Sequence, residues 1–159
     1  MQDTQQIQAF LKQELTDLKS RIASNIRSTG RNATGRTIDS LEVQVVTSGA
    51  FSAQGVLLGR KYFGALETGS RPWKGWESRK RVPSTFADRI QEWIDAKGLD
   101  LNAYAVAYNI IHSGTALFRQ GGSPDVYSNE IPGTLDKLTE KYATFLTDFA
   151  YSSITLNTK

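Results

Sequence analysis

The sequence predicts an α+β protein in which a long N-terminal helix and an antiparallel β-hairpin or small sheet pack with several further helices. Apolar residues recur at spacings of three and four over the first thirty positions, which is the period of a helix with one buried side. A later stretch alternates apolar and polar residues, as a half-buried strand does. With 159 residues, 39% of them hydrophobic and 22% charged, the chain is expected to form a single domain over 1–159.

The N-terminal helix is expected within residues 1–30. Its apolar stripe consists of Ile7, Leu11, Leu15, Leu18, Ile22 and Ile26. Asp3 or Thr4 is suited to cap its first turn, and Gly30 is suited to end it because glycine readily adopts a left-handed conformation. The helix should therefore run from about residue 4 to about residue 28.

Two strands are expected after the helix. Leu41, Val43 and Val45 alternate with Glu42 and Gln44, which is a strand pattern. The segment GVLLGRKYF, residues 55–63, is interpreted as the second strand. The polar segment TSGAFSAQ between them predicts an antiparallel hairpin with a long loop.

Two helices are expected in the middle of the chain. Ser84 is the expected cap of the first of them, and its apolar face consists of Phe86, Ile90, Trp93 and Ile94. Because Trp93 lies on this face, it is expected in the core. Asn102 is suited to cap the next helix, which Gly114 should end.

The last third of the chain is expected to contain a long loop and one more helix. Residues 115–132 are rich in turn-forming residues and predict the loop. From Gly133 onwards apolar residues again follow the helical period. Residues 151–159 are expected to be a C-terminal tail, either frayed or forming a short strand.

The composition removes most catalytic chemistries. The chain has no cysteine, so disulfides, thiolate metal sites and cysteine nucleophiles are excluded. The only histidine, His112, has no second histidine or thiol to complete a metal site, so a structural or surface role is expected. The segment GRNATGR lacks the strand–loop–helix frame of a phosphate-binding loop and is interpreted as a flexible turn.

Paired carboxylates occur at helical spacing, as in Glu14 with Asp17 and Asp136 with Glu140, and we expect them on solvated helix faces. No combination of residues supplies a nucleophile, a base and an oxyanion donor. We therefore expect a protein that is not an enzyme and has no catalytic residues, no metal and no cofactor.

The chain is also expected to have no membrane partner. It has no apolar run of about 18 residues, and its first residues lack the basic and apolar regions of a signal peptide.

The segment from 60 to 83 is expected to be a basic aromatic loop. It carries seven basic residues against Glu67 and Glu77, a local excess of five in a chain whose formal charge is +3. Arginine and aromatic residues are enriched where proteins bind each other. The candidate interface residues are Tyr62, Phe63, Glu67, Arg71, Trp73, Trp76, Arg79, Lys80 and Arg81.

Two residues of this loop carry specific expectations. Trp73 follows a proline in a polar segment and is expected outside the core, although Trp73 and Trp76 could alternatively cover the edge of the core. Glu67 is expected at the exit of the second strand, where it would pair with a nearby arginine or with a basic loop of a neighbouring subunit. We expect it to matter for assembly more than for folding.

An ordered set of motifs resembles a known family. The segments are TGRTIDSLEVQV at 34–45, YFGALETGSRP at 62–72 with its Leu-Glu-x-Gly-Ser motif, and AYAVAYNIIHSGT at 103–115. In this order they resemble the minor tail or tail-completion proteins of long-tailed bacteriophages and prophages. The resemblance covers residues from about 5 to about 150.

The resemblance implies a structural virion protein that forms a ring at the head–tail connector, the neck or the tail end. Its implied partners are copies of itself and other phage neck, connector or tail proteins, with DNA passing through the ring. It would be assembled in the host cytoplasm and end in the virion. The alternative from the residues themselves is a nucleic-acid-binding module that uses the basic loop at 71–81.

Overall fold

The computed structural model describes residues 2–49, 52–76 and 78–156. It confirms the α+β class, with a long N-terminal helix and a two-stranded antiparallel sheet. The elements are α1 (Gln2–Ser28), α2 (Arg36–Asp39), β1 (Glu42–Gly49), β2 (Ser52–Leu58), α3 (Ala65–Thr68), α4 (Ser84–Lys97), α5 (Ala103–Ser113), α6 (Ala116–Arg119) and α7 (Glu130–Leu156). Among the described helices, none has both the length and the apolar character needed to cross a membrane.

The chain divides into two compact units, a division that the prediction of one domain did not anticipate. The first unit comprises Met1–Ser24, Leu41–Leu58 and Ser128–Lys159, and the second comprises Asn25–Ser40 and Gly59–Tyr127. Each unit therefore joins segments that are distant in sequence.

The first unit is built from most of α1, the hairpin and α7. The predicted apolar stripe of α1 is its core, because Ile7, Leu15, Leu18 and Ile22 are all buried. Strand β2 lies close to this helix at Gly55, where an added Cβ would lie 2.4 Å from Leu15 Cδ1. A side chain at position 55 would therefore require the side chains of Leu15 and Leu11 to move.

The connection of the hairpin is shorter than expected. The strands pair from Glu42 opposite Leu58 to Gly49 opposite Ser52, with an irregularity between Thr47 and Gly49. Most of the segment predicted to be a long loop thus belongs to the strands, and residues 50 and 51 lie outside the described residues.

Glu14 corrects the expectation that the carboxylates of α1 are all solvated. It is only 5% exposed, and Lys141 Nζ donates to its Oε1 at 2.6 Å. Arg21 forms a second link between α1 and α7, with its Nε 2.8 Å from Glu130 Oε2. Because a buried carboxylate is costly without a partner, Lys141 is an integral part of this helix pair.

The second unit is built around α4 and α5, and three helix ends in it are those that the sequence predicted. Gly30 ends α1 as predicted, with φ at 68° and with a hydrogen bond from Arg31 N to Ile26 O at 3.2 Å. Asn102 caps α5 as predicted, since its side chain accepts the N–H of Ala105 at 2.9 Å. Gly114 ends this helix with φ at 74°.

Several expected boundaries in the second half of the chain were wrong. Pro83, and not Ser84, is the N-cap of α4, and no side-chain hydrogen bond caps this helix. The expected loop at 115–132 contains α6, and α7 begins at Glu130 before Gly133. α7 then continues to Leu156, so most of the expected tail at 151–159 is helical and its last three residues lie outside the described part.

Candidate functional site

The segment 60–83 is partly ordered into secondary structure and does not form one open loop. β2 ends at Leu58, so Tyr62 and Phe63 lie in a turn before α3 and not in the strand that the sequence predicted. Tyr62 is 72% exposed. Phe63 instead packs its ring on Tyr127, with the ring centroids 5.3 Å apart. Of these two candidate interface residues, only Tyr62 offers a freely exposed ring.

Glu67 is a buried anchor whose carboxylate binds backbone N–H groups of its own chain, whereas the sequence led us to expect a pair with an arginine or with a basic loop of a neighbouring subunit. It is 5% exposed, and its Oε1 accepts the N–H groups of Val126 at 2.9 Å and of Tyr127 at 2.6 Å. Its backbone carbonyl accepts the N–H of Ser123 at 2.8 Å. The residue therefore fixes the segment 123–127 onto α3 within one chain.

The pKa of Tyr127 reports the same environment. Burial raises the pKa of this phenol above its ordinary value, and the negative charge of Glu67 raises it further. Both causes favour the neutral phenol, so the folded protein keeps Tyr127 protonated beside the buried carboxylate.

Trp73 belongs to the core edge, which corrects its expected position outside the core. Trp73 and Trp76 both pack against the buried cluster of Val82, Ala107 and Ile111. The two indoles meet edge to face with their centroids 5.4 Å apart. The backbone N–H of Trp73 donates to the backbone carbonyl of Ile111 at 2.9 Å. The alternative interpretation, in which the tryptophans cover the core edge, is the one that the structure favours.

Trp93 was expected in the core, and this prediction was wrong because the side chain is partly exposed. It is 39% exposed, whereas its neighbour Ile94 is 2% exposed. Consecutive helical residues point about 100° apart, so burying Ile94 turns the indole of Trp93 towards the rim of the helix.

All seven cationic side chains of the segment are exposed, and five of them lie between residues 71 and 81: Arg71, Lys74, Arg79, Lys80 and Arg81. We call this set the basic surface. Within the described residues, no carboxylate forms an ion pair with any of them, and Glu77 lies outside those residues. Within the described residues, the basic surface is therefore a set of exposed cations without a paired carboxylate.

The backbone beneath the basic surface is held from α5. Tyr104 accepts the N–H of Val82 at 3.2 Å and donates its hydroxyl proton to Lys80 O at 3.0 Å. His112 Nε2 lies 3.2 Å from Arg79 O, a structural contact in which the ring nitrogen is the donor. The Arg79 guanidinium lies 4.8 Å from the centre of the Trp76 ring, so this side chain is also partly positioned.

A shallow groove accompanies the basic surface. It has a volume of about 470 Å³ and is lined by Trp76, Arg79, Lys80, Arg81, Val82 and Pro83. An acidic segment lying in this groove would contact cationic groups on a fixed backbone.

A second cationic site was missed by sequence reasoning. Arg31, Arg36, Arg60 and Arg89 line one recess of about 260 Å³, which we call the arginine recess. The signal was present in GRNATGR, which supplies two of the four arginines but was interpreted as a flexible turn. The other two arginines are distant in sequence, so only the fold brings them to the same place.

Asp125 balances part of this charge. Its carboxylate is paired with the Arg31 guanidinium, with Arg31 Nη2 3.0 Å from Asp125 Oδ2. Desolvation raises the pKa of Asp125, but hydrogen bonds from Arg31 and Ser123 and the charge of Arg31 lower it more, so the pKa lies below its ordinary value. Asp125 is therefore ionised under all but strongly acidic conditions.

The site offers exposed cations, aromatic rings and backbone groups that could bind a partner. Among the residues that the structure describes, no cluster of three or more histidine, cysteine or acidic residues could hold a metal. Comparison with protein-family models, with curated proteins and with solved structures finds no match for the chain.

Proposed function

We propose that the chain is a structural protein of a tailed-phage virion that forms a ring at the head–tail connector, the neck or the tail end. The ordered motifs between residues 34 and 115 support this assignment by their resemblance to tail-completion proteins. In this proposal the protein is not an enzyme, and its partners are copies of itself and neighbouring virion proteins. It is assembled in the host cytoplasm.

One structural observation carries the proposal of protein contact. The basic surface projects from a backbone that hydrogen bonds from Tyr104 and His112 hold in place. A surface that is ordered before binding loses less conformational entropy when a partner arrives. Exposed cations also steer an acidic partner and fix its orientation. The basic surface is thus suited to contact an acidic face of the next component.

The alternative is a nucleic-acid-binding module that uses residues 71–81. Sequence-independent binding of a single strand relies on aromatic rings whose faces are free to stack on bases. Trp73 packs on Trp76 and Phe86, with centroid distances of 5.4 and 5.0 Å, and Trp76 also lies beneath Arg79. The cations alone would support contacts to phosphates, so we prefer the proposal of protein contact.

Complementation of a phage that lacks the gene tests the proposal. The triple variant Arg79→Ala, Lys80→Ala and Arg81→Ala should lower incorporation into particles by at least tenfold, because the contact loses three charges. The matched control is Lys12→Ala, Arg27→Ala and Lys137→Ala, which removes three exposed charges elsewhere and should support normal particles.

Negative-stain microscopy and mass photometry of the purified chain complete the test. Rings that form alone or on gene-deficient particles support the proposal. A chain that stays monomeric and never enters particles contradicts it. If the triple variant assembles normally but loses its affinity for DNA, the protein is a nucleic-acid-binding module.

A further inference from the structure

The arginine recess is rich in hydrogen-bond donors and poor in acceptors. Its lining includes four guanidinium groups, together with Asn32, Thr34, Thr37 and the partly exposed Trp93. Glu92 is the single carboxylate in that lining. The lining thus holds four positive charges and one negative charge in a volume of about 260 Å³, and Asp125, which lies outside the lining, pairs with one of the four arginines.

Two of the arginines are already engaged and two are available. Arg31 is paired with Asp125, and Arg36 Nη2 lies 2.9 Å from Glu92 Oε2 with both side chains half-exposed. Arg60 and Arg89 are exposed, and within the described residues neither forms an ion pair. Like charges gathered in one recess repel each other, and a bound anion would relieve that repulsion.

The backbone around the recess is fixed. Asn32 Oδ1 accepts the N–H of Gly35 at 3.0 Å, and Lys97 Nζ donates to Asn32 O at 2.7 Å. Gly35 has φ at 76°, a conformation that glycine adopts without strain. The carboxylate of Asp39 lies beside this glycine and adds a negative charge close to the turn. The recess is thus a preformed site on an ordered turn.

We propose that the arginine recess binds a phosphate group. A phosphate carries up to two negative charges and several acceptor oxygens, so it can accept hydrogen bonds from several guanidinium and hydroxyl groups together. A single carboxylate is satisfied by one bidentate arginine and would leave the other donors of the recess unused. Arginine, threonine and asparagine side chains are also the groups that proteins use for phosphate oxygens.

This site is separate from the basic surface and does not depend on ring formation. It shares no lining residue with the groove at 76–83. A phosphate could belong to a DNA backbone or to a small phosphate compound, and both present the same group to the recess. The test below therefore uses inorganic phosphate first and a DNA duplex second.

Calorimetric titration of the purified chain with sodium phosphate at pH 7 and constant ionic strength is the direct test. We expect saturable binding of phosphate and none of sodium acetate at the same concentration. The double variant Arg60→Gln and Arg89→Gln should weaken phosphate binding at least tenfold. The matched control Lys12→Gln and Arg27→Gln removes two exposed charges elsewhere and should bind as the wild type does.

Two further measurements separate the outcomes. The double variant should keep the wild-type circular dichroism spectrum and melting temperature, because both arginines are exposed and outside the ion pairs described. If a 20-base-pair duplex displaces phosphate in a salt-dependent manner, the phosphate group that the recess binds belongs to a DNA backbone. If the duplex does not compete, the recess binds a small phosphate compound. Equal binding of acetate and phosphate, or unchanged binding by the double variant, overturns the proposal.

Discussion

Glu67 shows how a charged residue in a basic segment becomes part of the fold. Its carboxylate oxygen replaces water for two backbone N–H groups, those of Val126 and Tyr127. Such charge-assisted hydrogen bonds are about twice as strong as neutral ones. Removal of the carboxylate leaves both donors buried without an acceptor, which is the most expensive way to lose a hydrogen bond.

Glu67→Ala should therefore lower the free energy of unfolding by about 2–6 kcal/mol, at about 1–3 kcal/mol for each of the two N–H groups left without an acceptor. Glu67→Gln retains a carbonyl acceptor and should lose less. The matched control is Glu92→Ala, which removes a half-exposed partner of Arg36 and should cost about 0–1 kcal/mol. Urea unfolding measures the unfolding free energy of all three variants. Equal losses for Glu67→Ala and Glu92→Ala would show that Glu67 contributes no more to stability than a surface residue.

At the scale of elements, tight backbone approaches hold the segments of the second unit together. Gly114 ends α5 beside the segment at 70–72, and a Cβ there would lie 2.7 Å from Ser70 O and 2.8 Å from Phe118 Cδ1. The adjoining residue Thr115 donates its N–H to Ser70 O at 2.9 Å. The end of the helix is therefore fixed by its conformation and by its neighbours.

Gly114→Ala should destabilise more than Gly98→Ala. Both glycines have positive φ, at 74° and 61°. The left-handed conformation of Gly98 costs an alanine about 1–2 kcal/mol, and the conformation of Gly114, with ψ at 176°, costs it about 1–3 kcal/mol. Position 98 has open space for a Cβ, whereas overpacking at position 114 adds about 1–3 kcal/mol. Thermal unfolding of the two variants compares them, and equal losses would show that the contact with Ser70 relaxes freely.

The helix α4 illustrates why an apolar stripe does not identify its buried members. Phe86 and Ile90 pack against the cluster of Val82, Ala107 and Ile111, and Ile94 is buried. Trp93 shares the sequence pattern but lies at the edge of that face. The ring of Trp73 covers one side of this stripe by packing on Phe86. Trp73 comes from a segment that the sequence alone did not assign to the core.

The two tryptophans should respond to truncation in the order opposite to the one that the sequence predicts. Trp73→Ala removes a half-buried ring that packs on Trp76 and Phe86, and it should cost about 2–4 kcal/mol, somewhat below the usual loss for a fully buried ring. Trp93→Ala should cost about 1 kcal/mol, because the ring is partly exposed. The urea midpoints of the two variants give the order of their losses in unfolding free energy. A larger loss for Trp93→Ala would contradict this assignment.

At the scale of the whole molecule, two groups of the second unit with shifted pKa values make the stability depend on pH. Asp125 has a pKa below its ordinary value, so its ionised form stabilises the folded state at neutral pH. That stabilisation is lost as the pH falls below about 4 and through the lowered pKa of the folded state. Tyr127 has a raised pKa, so its stabilising contribution is lost as the pH rises through and above about 10.

The free energy of unfolding should therefore fall on both sides of a plateau between roughly pH 4 and pH 10. Asp125→Asn should flatten the acid side, since the variant has no carboxyl group to protonate. The effect should be modest because the Asp125 side chain is 39% exposed and water screens its pair with Arg31. Denaturant unfolding at a series of pH values checks this, and an unchanged acid side in the variant would assign that loss of stability to other carboxyls.

The sequence alone determined the features that depend on local chemistry. It located the N-terminal helix, the strands and the main helices, because the periods of apolar residues distinguish the two kinds of element. It also identified Gly30, Asn102 and Gly114 as helix ends, because capping and left-handed conformations depend on the residue in place.

Only the tertiary structure decided which side chains are buried and which charges meet. Glu14 and Glu67 became buried because their partners, Lys141 on α7 and the N–H groups of 126 and 127, come from distant segments. The arginine recess likewise joins Arg31 to residues 60 and 89. A charge is read from the sequence at its own position, but its solvation and its neighbours are properties of segments that only folding brings together.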